Sequence, residues 1–449
     1  MLSQHENLLR HISHLHWRLR DSGQDFQSDP HFSMYMSRQR SQEVALFEDT
    51  MVTDTLRFVD LMAEIIYDMD DENLRQMPEV FVDSICDTLT GIADLKPKLL
   101  RGMQFPHVFS MVVKLLSPKY AGMVRNYNLR ATLGDVLYEM YLPADEQDSR
   151  RRSDVPSSIS CDPSKGGQPY LTSNAAAQET LAPSLLLLYG EVEHTGYYDK
   201  MSHRAKISSL IKYLWESKEH RSAFQNITQN EASFITFANG IMNETNHLIA
   251  TVMQKLPTIK HDQDTMANPT EWANMTEEEQ TILTSRLSDN EREVKHALPL
   301  CNKTMQMLGY LNTNEDIRRL FLHPELCERL VNLLNHVLQK IIGGKGMELK
   351  VGSAGCYNDC VKDPEQYDFR PKELLRDLCA IFALFASNKE FQEACARSDC
   401  KPSDLRSAVS KCHKYSLLTG ASMSAFDALP DAVEAAAQEV AAEEAMLGE

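Results

Sequence analysis

Between Phe369 and Ser387, the residues Leu374, Leu375, Leu378, Cys379, Ile381, Phe382 and Phe385 recur at spacings of three and four. That period gathers side chains onto one face of an α-helix, and a helix with one apolar face must cover it with another element. Similar stripes run through Met51–Met69, Val80–Leu95 and His323–Ile342, whereas runs alternating between apolar and polar residues are hard to find. The pattern predicts an all-α chain of stacked helices.

A loose internal repeat sharpens that expectation. The segments Tyr213–Arg221 (YLWESKEHR), Tyr310–Arg318 (YLNTNEDIR) and Leu384–Gln392 (LFASNKEFQ) each close an apolar helix, turn through Ser217, Asn314 or Asn388, and open another. Those three residues are good N-caps, and Glu219, Asp316 and Glu390 fall in the first turn, where negative charge suits the helix dipole. The copies are unevenly spaced, which predicts an irregular armadillo-like helical-repeat superhelix rather than a strict array.

Two segments interrupt the pattern. Ala144–Gln178 is rich in Ser, Pro, Gly and charge, too poor in apolar side chains to offset its ordering entropy, and reads as a flexible insertion. The stretch from 427 to 449 is rich in Ala and Glu, with little apolar face, and reads as an acidic connector. Helical repeats are therefore expected over 1–143 and 179–426.

Charge bounds the partners. Lys and Arg number 46 against 64 Asp and Glu, a formal net charge of -18, which disfavours nucleic acid. No apolar run approaches the roughly 20 residues that cross a bilayer, and the first 21 residues read as an amphipathic helix rather than a signal peptide, so no membrane partner and an intracellular location are expected. Several of the ten cysteines, including Cys86, Cys327 and Cys379, sit at apolar helical positions and read as reduced core thiols. The sequons at Asn226, Asn243, Asn274 and Asn302 carry no implication without entry into the secretory pathway.

Four motifs invite a chemical reading. Gln339–Cys360 contains Gly343, Gly344, Lys345 and Gly346, but a helix ending in Ile341 and Ile342 precedes the glycines and no Ser or Thr follows the lysine, so a glycine helix stop is expected instead of a phosphate cradle. Cys356 and Cys360, with Asp359 between them and Cys412–His413 far along the chain, make one loose pair where structural zinc usually shows two close ones. His11, His14 and His16 lack the carboxylate of a zinc-hydrolase helix and read as a solvated face, and Arg150–Arg152 as a solvated charge run. Nucleophilic catalysis has no local signature: there is no Gly-x-Ser-x-Gly turn, and Cys and His residues are scattered. No catalytic residue, cofactor or metal is assigned.

The segment Leu185–Phe224, with Glu193, Thr195, Gly196, Tyr197–Lys200 and Arg204–Trp215, resembles the core of the U-box ubiquitin conjugation factors, the ubiquitin-fusion-degradation family that elongates ubiquitin chains. Phe237, Asn239, Asn243, Leu248 and Trp272 stand in similar order, and Asn126–Leu137 and Asp363, Pro364, Tyr367, Phe369, Pro371 and Leu374 extend the likeness over much of residues 75–420. The resemblance implies an armadillo-like core and a place in the ubiquitin system. Members of that family carry a C-terminal U-box that recruits the ubiquitin-conjugating enzyme, opening near a Pro-Asp-Glu-Phe-Leu-Asp-Pro stretch not found before Glu449, so the chain is expected to be a fragment from the C-terminal part of the core. U-box ligases act by positioning a charged conjugating enzyme, which needs no nucleophile of their own. The resemblance thus implies a scaffold for ubiquitinated substrates and a hexameric AAA segregase, in cytoplasm and nucleus, reaching the conjugating enzyme only through a U-box. A non-enzymatic helical-repeat adaptor is the alternative.

Overall fold

In the first unit of the chain, contacts between helices recur at a nearly constant sequence separation. Lys96 meets Asp49, His107 meets Asp60 and Lys114 meets Tyr67, each 47 residues apart, and Tyr120 meets Asp71 at 49. A constant offset of this kind is what two parallel helices packed in register produce, as neighbouring units of a stacked helical repeat do. The computed structural model describes residues 2–21, 29–100, 103–143, 161–162, 168–227, 231–342, 367 and 369–447. It is all-α, with twenty helices among the described residues, as a helical-repeat fold requires. The chain divides into two compact units, Met1–Ser184 and Leu185–Glu449.

The first unit holds α1 (Leu2–Asp21), α2 (Pro30–Leu46), α3 (Asp49–Asp68), α4 (Asp71–Gln76), α5 (Val80–Leu95), α6 (Pro106–Leu116), α7 (Tyr127–Tyr141) and the single turn α8 (Tyr170–Ser173); the boundary falls inside α9 (Ala175–Glu191). Helix α1 packs on α2, α3 on α6, and α5 on α7. Two polar clamps set α3 and α6 parallel. Near its middle, α3 offers Asp60, whose carboxylate accepts the backbone N–H groups of His107 and Val108 at 3.2 and 3.0 Å and so caps α6. At the far end the Lys114 ammonium donates to the Tyr67 and Met69 carbonyls at 2.6 and 2.8 Å, where α3 runs out of partners. Phe109, Tyr141 and Tyr170 form an aromatic triangle with centroids 4.9, 5.4 and 5.7 Å apart, and the Tyr141 hydroxyl donates to the Phe105 carbonyl.

That triangle shortens the expected insertion. Tyr170, Leu171 and Ala177 belong to the span 144–178 but are buried in α8 and α9, because an aromatic and an aliphatic side chain at its C-terminal end find an apolar pocket. A two-residue antiparallel pairing, β1 (Cys161–Asp162) with β2 (Gln168–Pro169), also lies there; residues 144–160 and 163–167 are outside the described residues.

The second unit contains α10 (Tyr197–Glu216), α11 (Arg221–Ile227), α12 (Glu231–Ala267), α13 (Pro269–Asn274), α14 (Glu277–Leu311), α15 (Glu315–Phe321), α16 (Pro324–Ile342), α17 (Pro371–Phe385), α18 (Lys389–Arg397), α19 (Pro402–Tyr415) and α20 (Gly420–Leu447). Its longest pairing is α12 with α14, an antiparallel hairpin closed by α13 and pinned by the buried Asp262, which receives the Arg286 guanidinium at 2.5 and 3.0 Å. A Thr276–Glu279 capping box starts α14. Helices α10, α14 and α17 pack in succession, and contacts between α10 and α14 recur 94 to 98 residues apart, the separation of the first two copies of the sequence repeat. Of the three expected caps, Asn314 accepts the N–H groups of Asp316 and Ile317, whereas Asn388 makes no side-chain capping bond and Ser217 donates instead to Glu219.

The expected connector is also more than a linker. Helix α20 begins before residue 427, and Phe426, Leu429, Val433 and Ala436 recur at three and four and are buried against α17, α18 and α19. Alanine covers enough of that face for the stripe to pack although few large apolar residues mark it.

Candidate functional site

The segment carrying the family resemblance builds a polar node at the start of α10. Arg204 lies about two turns into that helix and is only 2% exposed. Its Nε donates to the Tyr189 carbonyl at 3.3 Å, its guanidinium carbon sits 4.9 Å from the Tyr189 ring centroid, and Nη2 donates to Glu193 at 2.8 Å. Nη1 donates to Glu244, a buried carboxylate on α12. One cation thus ties α9, the turn after it, α10 and α12 together.

A guanidinium suits this place because its planar fork can serve several acceptors at once and stack on a ring. Glu193 is shared with Lys200, whose Nζ lies 3.0 Å away. Desolvation, the largest single influence on Glu193, acts to raise its pKa, but Lys200 and Arg204 together outweigh it and hold the carboxyl below its ordinary value. Burial pushes the Tyr189 phenol well up, so it stays neutral.

The other resembling residues serve packing. Phe237 meets Tyr189 edge-on at 5.8 Å, Leu248 is buried, and Asn239 accepts from Arg329 at 2.5 Å. Asn126 caps α7, Tyr367 donates to Glu291 at 2.7 Å, and Pro371 opens α17, where Leu374 is buried. Thr195 donates to the Val192 carbonyl, closing the turn before α10. Gly196 has an ordinary backbone at φ -61°, and an added Cβ would meet only the movable Asp199 carboxylate at 2.8 Å, so no backbone strain demands glycine there. Asn243 is exposed and Trp272 half-buried. Asp363 and Pro364 lie outside the described residues.

At the other end of α10, Trp215 packs edge-on against Phe224 at 5.1 Å and tilted against Tyr310 at 5.6 Å. With Arg221, Thr313 and Asn314, Trp215 and Phe224 line an open pocket of 370 Å³. Two copies of the sequence repeat meet here, one supplying Trp215 and Arg221 and the other Thr313 and Asn314.

Cys86, Cys301, Cys327, Cys379, Cys395, Cys400 and Cys412 are buried. Desolvation pushes the Cys301 thiol up to about 12 and that of Cys327 to about 11, and raises Cys86 further. Cys379 with Cys412, and Cys395 with Cys400, form buried thiol pairs: burial and then the hydrogen bond to Cys412 raise Cys379, the hydrogen bond to Cys400 and then burial raise Cys395, and the same bonds lower Cys412 and Cys400. His413 is exposed and pairs with Asp427 at 2.9 Å. His11 bonds the Asn7 carbonyl within α1, and His14 is exposed. The glycines after Ile342, Cys356, Cys360 and Arg150–Arg152 lie outside the described residues.

Sequence reading missed Glu244 and named Tyr310 only as the start of a repeat copy. Glu244 is a lone carboxylate on an otherwise apolar helical face, a signal that calls for a buried cation; Tyr310 opens the second repeat copy, and the register of the repeat places it beside Trp215.

Comparison with known proteins agrees with this architecture. A family model described as the ubiquitin elongating factor core matches residues 1–434. The "Probable ubiquitin conjugation factor E4" of Arabidopsis thaliana is 32% identical over 317 residues, 69% of this chain and 28% of that protein. The "Ubiquitin conjugation factor E4" of Schizosaccharomyces pombe is 25% identical over 385 residues, 84% of this chain and 35% of that protein. The "E4 ubiquitin-protein ligase UFD2" of Saccharomyces cerevisiae is 30% identical over 230 residues, 49% of this chain and 22% of that protein. The matches span about a third or less of the length of these relatives. No helix among the described residues is long and apolar enough to cross a membrane. With a core-family match across almost its whole length and a helical-repeat fold whose resembling residues build its packing, the chain belongs to the ubiquitin elongating factor core family.

Proposed function

We propose that this chain is scaffold from a ubiquitin chain-elongation ligase, holding ubiquitinated substrate proteins and a hexameric AAA segregase in place for polyubiquitination and proteasomal degradation, in cytoplasm and nucleus. The observation that carries the reading is the core-family match over residues 1–434. Buried, raised thiols such as Cys86, Cys301 and Cys327 support a role in which ubiquitin is positioned rather than held as a thioester. The rate gain of such a scaffold comes from bringing two bound partners to high effective concentration, so it requires a docking surface for the conjugating enzyme as well.

The test measures ubiquitin chain growth on a ubiquitin-fusion substrate with activating and conjugating enzymes. The chain alone is expected to add nothing above background, and fusion of a U-box to restore elongation. Rapid transfer by the chain alone, abolished by changing a single cysteine to serine, would overturn the scaffold reading.

A further inference from the structure

The pocket between the two repeat turns has a one-sided chemistry. Its floor is aromatic, formed by half-buried Trp215 and buried Phe224. Its polar edge carries the Arg221 guanidinium, the Thr313 hydroxyl and the Asn314 amide. Asn314 spends its carbonyl oxygen on the Asp316 and Ile317 N–H groups. Thr313 donates its hydroxyl to the Tyr310 carbonyl at 2.6 Å. Arg221, exposed on the first turn of α11, forms no ion pair with any described residue.

The carboxylates on the two flanking turns have partners other than Arg221. Glu216 pairs with Lys212 at 3.9 Å, Glu219 accepts from Ser217 at 2.6 Å, and Glu315 and Asp316 face Arg319 at 3.0 and 3.7 Å. In a chain of net charge -18, a guanidinium without a local partner, beside an open aromatic floor, is complementary to an external anion that also brings apolar surface.

We propose that this pocket binds an acidic peptide segment of a partner protein, seating one apolar side chain on Trp215 and Phe224 and an adjacent Asp or Glu on Arg221. The volume of 370 Å³ takes one large side chain and its flanking backbone, a small site suited to a short motif. The proposal is independent of the ubiquitin reading, since it follows from the pocket's own guanidinium and rings.

A phage-displayed random heptapeptide library, selected on the intact chain and counter-selected on its Arg221→Glu variant, provides the test. Enriched sequences are expected to place Asp or Glu beside Leu, Ile, Met or Phe. A synthetic peptide of the enriched sequence, titrated by calorimetry, is expected to lose at least tenfold in affinity with Arg221→Glu and with Trp215→Ala, and to weaken as salt rises. Circular dichroism of each variant, matching that of the parent, establishes that the fold is kept. Trp215→Phe, which retains an aromatic floor, is expected to keep most of the binding. No enrichment over counter-selection, enrichment of neutral or basic peptides, or affinity indifferent to Arg221→Glu would overturn the proposal.

Discussion

Changing Glu244 to glutamine preserves shape while deleting the charge opposite Arg204. Arg204 is 2% exposed and Glu244 6%, so the guanidinium cannot turn to water for compensation. Removing one partner of a buried ion pair costs about 3–5 kcal/mol, most of it the penalty of stranding the other charge. Here Glu193 and the Tyr189 carbonyl remain, but the Glu193 side chain is 53% exposed and its attraction is screened, which places the loss near the low end, about 3 kcal/mol. For a compact unit of this size that corresponds to a fall of about 6–12 °C in the unfolding midpoint. Urea and thermal unfolding followed by circular dichroism, with hydrogen exchange of α10 and α12 to assign the transition to the second unit, measure it. Arg204→Met with Glu244→Met removes both charges at similar volume and is expected to recover most of the loss. A loss under about 1 kcal/mol for Glu244→Gln, or a double variant as unstable as the single one, would refute this account of the node.

In the first unit, Asp60→Ala is expected to cost about 1 kcal/mol by uncapping α6, and Asp60→Asn much less, because the amide oxygen still accepts and the desolvation that raises the Asp60 pKa disappears; chemical denaturation separates the two. Ser416 ends α19 in the left-handed region at φ 52°, so Ser416→Gly is expected to raise stability by about 0.5–1 kcal/mol in the same assay. The lowered pKa of Glu193 contributes stability that is present above the unfolded value of 4.5 and is lost as pH falls towards the lower folded value. The stability difference between the parent and Glu193→Gln is therefore expected to be full near neutrality and to shrink on acidification through that range.

Helix faces were legible because their signal is local: Leu374, Leu378, Ile381 and Phe385 announce a stripe, and all four are buried. The second-unit repeat was legible too, since Tyr213 and Tyr310 mark turns that the packing of α10 on α14 brings together. The first-unit repeat left no comparable mark. Its register is held by Asp60 and Lys114, single polar residues that clamp backbone groups 45 to 48 residues away, and a clamp of that kind requires no similarity between the helices it joins. The C-terminal boundary of the insertion was misplaced because composition averages over a window, while burial of Tyr170 and Leu171 is decided residue by residue. In α20 the stripe was diluted by alanine, which packs without advertising itself. The Arg204 node was half legible: the cation and Glu193 stand in the resembling segment, but Glu244 enters from α12, 40 residues on from Arg204.

The hairpin of α12 and α14 has a consequence for how this sequence can change over time. Its base is fixed by buried residues such as Leu256, Ile259, Val294 and Leu298, whereas the turn around α13 is largely exposed. Residues gained or lost between Asn268 and Thr276 would lengthen or shorten the projection without disturbing the apolar seam below the Asp262–Arg286 pair. The tip is therefore the part of this unit where lineages can diverge in length at little cost, and where a new recognition element can be added to an old scaffold without first being reconciled with its core.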